Sequence, residues 1–378
     1  MSARTSNRPG LLTRVFGSQW FVSVLAVLIA FVIGAILIAL SGASVGEAYY
    51  AMFRGSIIDP GAATFVRRVK PLTDSLFYSI PLIISGLGLA LGFRAGLFNI
   101  GGKGQIIVGA LAAVWVGFAV SLPPVLHTLV ALLAAIIAGG LYAGIAGVLK
   151  AKTGANEVIV TIMLNSIATL NLGYVLAQKA WQVPGTNQPV TPKVAQSAEL
   201  VRLLPSPFKL HVGFLVALVA LVVFWWLIER STLGFQIRAV GANAAAARTA
   251  GISVERITAV TMVLSGAFLG LAGANEALGT IGYVSRDVSG SIGFDAITVA
   301  LLGRNKTWGT FGAGLLFGAF KAGGYTMQAK GVPIDMILIL QSIIVLLIAA
   351  PALVRWLFRL PEVSRFVEAR KGNADEHK

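Results

Sequence analysis

The chain has no cysteine and only three histidines, at positions 127, 211 and 377. The absence of cysteine excludes disulfides and thiolate metal sites. The wide separation of the histidines argues against a metal centre, since imidazole ligands of one metal ion usually cluster. Charged residues are also scarce, at 12% of 378 residues. Water-soluble domains carry about twice that fraction, so this composition excludes an ordinary soluble protein.

Apolar residues dominate instead, at 56% of the chain, with a mean hydropathy of +0.82. Together with the low charge, this indicates a polytopic protein of the lipid bilayer. The net charge of +15 does not indicate a nucleic-acid partner, because the basic residues stand singly between apolar segments and not on one face. Orientation by the positive-inside rule explains them more simply.

Ten apolar segments predict an all-α fold of about ten transmembrane helices. The predicted spans are residues 20–40, 74–93, 104–122, 125–149, 157–177, 212–229, 257–277, 293–303, 308–329 and 334–354. The segment at 293–303 is too short to cross a core of about 30 Å as a helix, so we expect it to be broken or re-entrant. The transmembrane domain then covers residues 20–354, between polar tails at 1–19 and 355–378.

A faint internal repeat divides the domain into halves at 20–177 and 212–354. Ser85-Gly86 recurs as Ser265-Gly266, and Phe98-Asn99 resembles Phe294-Asp295. Because each half has five spans, the second half would be inverted in the membrane, as in many transporters. This alternation places both termini in the cytoplasm and the proline-containing segment 178–211 outside.

The polar segment 230–256 lies between two apolar spans and carries several arginines, which places it on the cytoplasmic side. Asn243 can cap a short helix through Ala244–Ala247, and Gly251 can end it. Such a helix at the membrane surface can receive force from a soluble partner; an ordinary solvated loop is the alternative. The residues that we expect to serve this coupling are Arg238, Gly241, Asn243, Ala246, Arg248 and Gly251.

Two further stretches predict a substrate pathway. Glycines in 95–113 permit non-helical backbone, which survives at membrane depth only when protein or water surrounds it. Glu157, Thr161 and Asn165 fall near one helical face, where interhelical hydrogen bonding is the alternative to a pathway role. Asp295 is a carboxylate in an apolar run, or it caps the half-helix that it begins. The predicted pathway residues are Phe98, Asn99, Gln105, Glu157, Asn165, Phe294 and Asp295.

No nucleotide-hydrolysing motif is visible in the chain. Gly101-Gly102-Lys103 fails as a phosphate loop, because Leu97 replaces the required glycine and Gly104 replaces the magnesium-binding serine or threonine. No cluster of His or carboxylate residues has catalytic spacing either. We therefore expect a transport subunit without enzymatic activity or a bound cofactor or metal. Any ATPase would be another polypeptide.

These motifs resemble the permease subunits of bacterial ABC importers, in the group that includes ribose and branched-chain amino-acid permeases. The resemblance covers nearly all of residues 20–354, and the GANEV-type segment indicates the nucleoside-uptake branch. Lys103 departs from the acidic residue that is usual in the family. The segments that carry the resemblance are GLFNIGGKGQIIVGA, GANEVIVTIMLN, GFQIRAVGANAAAARTAGI, GFDAITVALLGRNKTWG and PIDMILILQSIIVLLIAAP.

The resemblance implies import of nucleosides across the bacterial plasma membrane by alternating access. It also implies a cytoplasmic ATP-binding cassette subunit that holds ATP and magnesium, a second homologous permease and an extracytoplasmic substrate-binding lipoprotein. A sugar or branched-chain amino-acid permease of the same architecture is the alternative within transport. An ion-coupled secondary transporter, with protons or sodium bound at Glu157, Glu276 or Asp295, is a further alternative.

The predicted topology has a direct test, because the chain has no cysteine of its own. We expect Val190→Cys to react with an impermeant maleimide added outside intact cells. Ala245→Cys should react only after the membrane is opened, because positive charges hold its segment inside. Labelling of both cysteines from the same side would contradict the inverted arrangement.

Overall fold

A computed structural model of the protein describes residues 19–185, 188–333 and 335–349. Along these ranges the regular structure is helical, with one isolated bridge between Arg202 and His211, which confirms the all-α prediction. The α-helices in chain order are α1 Gln19–Leu40, α2 Val45–Ser56, α3 Phe65–Arg94, α4 Gly102–Ala119, α5 Leu126–Thr153, α6 Glu157–Ala177, α7 Gly213–Trp225, α8 Thr232–Ala242, α9 Ala244–Thr249, α10 Val254–Asn275, α11 Ile292–Leu302, α12 Thr307–Gln328 and α13 Asp335–Ala349. A 3₁₀ turn covers Lys179–Trp181, and α7 and α10 continue as π-helical turns through Trp226–Arg230 and Glu276–Ile281.

Six of the described helices are long and apolar enough to cross a bilayer, namely α3, α4, α5, α6, α7 with its π turn and α10 with its π turn. Shorter apolar helices cover Val27–Leu40 and Ile292–Leu302. The 11 residues of α11 rise only about 16 Å, as expected for a broken or re-entrant segment. The protein is therefore a multi-pass membrane protein. The arrangement of ten spans in two inverted halves stays a prediction.

The first 18 residues and those after 349 lie outside the described residues. The two predicted tails, 1–19 apart from Gln19 and 355–378, therefore lie outside the described residues. The end of the last predicted span also lies outside them.

Helical structure also occurs outside the apolar runs that predicted the spans, in α2 and at the start of α3. Helix α2 lies in a stretch that we expected to connect the first two spans, and its low hydropathy gave no membrane signal. Helix α3 begins at Phe65, nine residues before the predicted span at 74. Thr64 caps it by accepting a hydrogen bond from the backbone of Arg67 at 3.4 Å. The basic residues of its first turns lie outside an apolar run but continue the same helix.

Residues 51–326 form one compact unit. At its centre α10 packs against α5 and α4 through glycines, with no side chain between the backbones. A Cβ atom at Gly270 would overlap the carbonyl oxygen of Ala135, and one at Gly273 would overlap that of Ile106. Such small-residue contacts allow membrane helices to approach closely. They hold α4, and with it the loop that precedes α4, against α10.

A second unit contains, among the described residues, 19–50, 327–333 and 335–349. Within it α1 packs against α13, and Gly34 lies against the side chains of Leu340 and Tyr49. The Tyr49 hydroxyl donates a hydrogen bond to the carbonyl of Phe31, and the two rings meet edge to face at 5.4 Å.

The glycine contacts predict a difference between two chemically identical substitutions. Gly270→Ala should destabilise the purified protein by about 1–3 kcal/mol, because the new methyl group has no room beside Ala135. Gly173→Ala on α6 meets nothing within 4 Å and should be neutral or stabilising by up to about 1 kcal/mol. Thermal unfolding in detergent measures both changes. Equal unfolding temperatures for the two variants would contradict the close packing.

Candidate functional site

The loop of residues 95–101 connects α3 to α4 and is held by a pair of amide side chains. Asn99 is fully buried, and its amide exchanges two hydrogen bonds of 3.0 Å with the amide of Gln105. Asn99 Nδ2 also donates to Ser265 Oγ on α10 at 2.9 Å, while its Oδ1 accepts from the backbone of Gly101 at 2.9 Å. Asn99 therefore joins the loop to the two helices beside it.

Helix α6 holds the other side of this loop. Asn165 donates to the carbonyl of Ile100 and accepts from the backbone of Gly104, both at 2.8 Å. Thr161 accepts from the backbone of Ile100 at 3.2 Å, and Glu157 accepts from that of Phe98 at 3.3 Å. The three side chains follow each other at intervals of four residues, which confirms that they share one helical face.

Glu157 has a second partner, the ammonium of Lys150 at 2.6 Å. Asn156 caps α6 by accepting from the backbone of Val158 at 2.9 Å, as its position in the sequence predicts. The start of α6 is thus fixed at the same place where it supports the loop.

Asn99, Gln105, Glu157 and Asn165 accordingly bind protein groups in this conformation. They supply partners to backbone donors and acceptors that could not remain unpaired in a buried loop. Their direct contact with a passing solute stays a prediction and requires this loop to rearrange. Sequence analysis identified these residues as candidates, whereas only the structure shows that they form hydrogen bonds around one loop.

The two predicted aromatic residues are more accessible. The side chains of Phe98 and Phe294 are 40% and 56% exposed, and the ring of Phe98 lies 4.7 Å from that of Phe93. The starts of α4 and α11 touch, since a Cβ atom on Gly102 would lie 3.1 Å from the carbonyl oxygen of Gly293. The segments that carry the similar pairs Phe98-Asn99 and Phe294-Asp295 therefore lie next to each other.

Asp295 lies in the first turn of α11 and accepts a hydrogen bond of 2.6 Å from the hydroxyl of Ser291. Lys321 of α12 lies within electrostatic range of both Asp295 and Glu276. The link between three helices has no signal in the sequence, because these residues are far apart along the chain.

The predicted outside segment 178–211 packs on the end of α10. The backbone of Thr191 donates to the carbonyl of Val284, and that of Leu200 to the carbonyl of Leu278, each at 3.1 Å. His211 is buried against the ring of Phe77, and burial lowers the pKa of its imidazole to about 4. Its Nδ1 accepts a hydrogen bond of 3.1 Å from Gly213, consistent with a neutral ring at pH 7. His211 therefore has a packing role in this segment.

The polar segment 230–256 contains the short helix that the sequence predicts. Asn243 caps α9 by accepting from the backbone of Ala246 at 3.0 Å, and Gly251 follows its end at φ +81°. Both assignments are confirmed, although α9 extends to Thr249. Helix α8 was not predicted within this segment, and its Gly241 lies directly against the carbonyl of Arg94.

Helices α8 and α9 enclose a shallow apolar groove of about 560 Å³. The groove is lined by residues that include Phe235, whose side chain is 60% exposed, Ala246 and the buried Ala247. Arg248 forms an exposed ion pair with Glu255, in which the guanidinium nitrogen lies 2.6 Å from the carboxylate oxygen. Arg238 lies on α8 and lines a second cleft together with Arg94 and Trp308. Contact of Gly241 with the end of α3 places this surface in the unit 51–326.

The long apolar helices, the buried loop that polar side chains support and the grooved polar segment together define a multi-pass membrane protein. The family of permease components of branched-chain amino acid transport systems matches residues 72–349. The chain belongs to this family and is a permease subunit of an ABC importer.

Several curated proteins are similar to the chain along most of its length. The guanosine ABC transporter permease protein NupP of Bacillus subtilis is 40% identical across 90% of this chain and 95% of its own. The glucose permease TsgB13 of Haloferax volcanii is 34% identical across 85% of both chains. The nucleoside permease NupB of Lactococcus lactis is 30% identical across 94% of this chain and 97% of its own. No solved structure matches the chain significantly.

The contacts of Asn165 predict that its amide stabilises the loop. Asn165→Ala should lower the free energy of unfolding by about 1–3 kcal/mol, because the carbonyl of Ile100 and the amide of Gly104 lose their partner. Transport by the assembled importer should fall in parallel. Asn171→Ala, at an exposed position of the same helix, provides the matched control. Comparable stability and transport in the two variants would contradict this role.

Proposed function

We propose that this permease imports nucleosides into the cell by alternating access. The observation that carries the proposal is the 40% identity to a guanosine permease, which extends across 90% of the chain and so includes every element of the candidate site. A second nucleoside permease is similar across 94% of the chain.

The accessible aromatic rings support this substrate class. A nucleoside presents a flat base and a ribose with hydroxyl groups. Phe98 and Phe294 expose their rings on adjoining segments, where they can stack on a base. Stacking of one base on an aromatic side chain contributes roughly 1–3 kcal/mol in nucleic-acid sites. Asp295, beside Phe294, can accept hydrogen bonds from hydroxyl groups. Asn99 becomes available to the polar edges of the base once its loop opens.

Helix α9 and the groove beside it support coupling to a cytoplasmic ATPase. ATP and magnesium would bind to that partner, since the chain has no phosphate-loop motif of its own. The groove exposes Phe235 and small alanines, which suits the docking of an apolar surface. Movement of the ATPase would reach the start of α4 through the contact of Gly241 with the end of α3.

The assembly that we propose contains a second permease and a binding lipoprotein on the outer face. Paired names among the relatives support two different permeases. Bacillus subtilis has guanosine permeases NupP and NupQ, and Lactococcus lactis has nucleoside permeases NupB and NupC. The ordered segment 188–212 offers a surface for the lipoprotein. The complex would lie in the bacterial plasma membrane with both termini of this chain in the cytoplasm.

A sugar is the second candidate substrate, because a glucose permease is 34% identical across 85% of the chain. The choice between them is experimental. Cells that contain the importer should accumulate radiolabelled guanosine and not glucose, and accumulation should persist with an uncoupler and stop when ATP is depleted. Accumulation of glucose instead, or collapse with the uncoupler, would contradict the proposal.

Within this assay, Ala246→Glu should abolish guanosine accumulation and substrate-stimulated ATP hydrolysis. The substitution places a charge at the apolar groove and leaves the buried Ala247 in place. The chain itself should remain folded, because position 246 is exposed.

Ala63→Glu is the matched control, since it adds the same charge at an exposed position outside the segment 230–256. It should preserve both activities. Normal accumulation and assembly in Ala246→Glu would show that α9 does not couple the permease to the ATPase.

A further inference from the structure

The second cleft, of about 490 Å³, borders α8 and shares no lining residue with the apolar groove. Arg94 at the end of α3, Arg238 on α8 and Lys306 just before α12 bring three positive charges to it. Among the described lining residues, Glu229 of the π turn after α7 is the one carboxylate. The cleft therefore carries an excess of positive charge, in a volume within the range of ligand clefts, roughly 300–1,000 Å³.

The three cations of the cleft are not neutralised by ion pairs. Among the described residues, the ion pairs involve other cations, namely Arg54, Lys70, Lys150 and Arg248. Nη1 of Arg238 is buried and has no hydrogen-bond partner in the described part of the chain. A buried donor of a charged group is costly when it has no acceptor. Arg238 therefore favours an anionic acceptor in the cleft.

Hydrogen bonds between the walls fix the shape of the cleft. Arg94 Nε donates to the carbonyl of Asn305 at 2.8 Å, and the hydroxyl of Thr307 donates to Glu229 at 3.0 Å. The turn before α12 is tightly closed, because a Cβ atom on Gly309 would lie 2.2 Å from the carbonyl oxygen of Gly303. Walls that are already ordered lower the entropic cost of binding a ligand.

The start of α12 adds backbone donors to the same cleft. Residues 307–309 form the first turn of this helix and line the cleft. The first N–H groups of a helix have no acceptor within it, and the helix dipole places positive charge there. Phosphate groups bind at helix N-termini for this reason. The guanidinium fork of Arg238 also suits phosphate, to which arginine can donate two parallel hydrogen bonds.

The cleft lies at the level where membrane helices end. Two helical stretches that can cross a bilayer, Phe65–Arg94 and Gly213–Arg230, both reach it with their last residues. Trp308 lines it and Trp226 lies close to it in the chain, and their side chains are 69% and 58% exposed. Tryptophan is enriched at the boundary between membrane and water, where phospholipid headgroups lie. A membrane lipid is therefore the phosphate compound that has direct access to this cleft.

We propose that Arg94, Arg238 and Lys306, together with the first turn of α12, bind the phosphate of an anionic phospholipid. The sequence predicts that the adjoining segment 230–256 is cytoplasmic, and anionic lipids give the cytoplasmic leaflet its negative surface potential. Basic pockets between membrane helices on this side bind anionic headgroups. The inference is independent of the substrate that the permease transports, and it assigns a lipid site between α8 and the membrane helices.

The test measures thermal unfolding of the purified full-length permease in a neutral detergent, during titration with phosphatidylglycerol, phosphatidylcholine or inorganic phosphate. Phosphatidylglycerol should raise the unfolding temperature until the site is saturated, because a ligand that binds the folded state stabilises it. Phosphatidylcholine should give no saturable shift, because its headgroup brings its own cation. Inorganic phosphate at the same concentrations should give none either, because it has no acyl chains to hold it at the membrane helices.

Two substitutions in the cleft should weaken the apparent affinity for phosphatidylglycerol. Arg238→Gln should weaken it by about 10-fold, the value of one hydrogen bond to a charged group. Lys306→Gln should weaken it by about 5-fold, the value of one basic residue at an anionic surface. Lys306 is exposed, so this variant provides the test if Arg238→Gln does not fold.

Lys152→Gln is the matched control, because it removes the same charge at an exposed position in the last turn of α5, outside the cleft. It should preserve the affinity for phosphatidylglycerol.

Equal stabilisation by the two lipids, or unchanged affinity for phosphatidylglycerol in both cleft variants, would overturn the inference. Saturable binding of inorganic phosphate with equal affinity would assign the cleft to a soluble anion instead of a lipid. If Arg238→Gln retains its lipid affinity but no longer co-purifies with the ATPase, the cleft binds an acidic side chain of that partner, and the lipid assignment is rejected.

Discussion

The structure depends on one constraint, which is that non-helical backbone buried between helices must find hydrogen-bond partners within the protein. The loop 95–101 meets this requirement with its own Asn99 and with side chains of α6. Asn99, Asn165 and Glu157 bind backbone groups of the loop, and Ser265 anchors Asn99 to α10. Loss of the α6 contacts would leave polar backbone groups of the loop unpaired. The position of α4 and the polar character of the interior follow from this arrangement.

Glycine contacts make the arrangement possible. Asn99 reaches Ser265 on α10 because α4 and α10 approach closely, and the contact of Gly273 with Ile106 provides that approach. The same device acts at the polar segment, where Gly241 meets Arg94 and joins α8 to the end of α3. The groove beside α9 is therefore connected by a backbone contact to the start of the loop.

Sequence reasoning was most accurate for features that depend on neighbouring residues. The caps of Asn156 and Asn243 and the end of α9 near Gly251 were predicted, because a cap binds backbone groups two or three positions away. The shared face of Glu157, Thr161 and Asn165 follows from helical periodicity alone. Helix α2 and the early start of α3 were missed, because they are helices without an apolar run, and hydropathy was the signal in use.

The sequence by itself determined that the protein is helical, resides in a membrane and carries a capped helix in a polar segment, since composition and local spacing decide these properties. Only the tertiary structure decided which polar side chains meet. Asn99 and Ser265 are 166 positions apart, and Asn165 accepts from Gly104 at a separation of 61 positions. In a bilayer the apolar faces of helices are about as apolar as the lipid tails around them. Hydropathy therefore does not specify which helices pack together. Close packing of small residues and the pairing of buried polar groups make that choice, and both exist only in three dimensions.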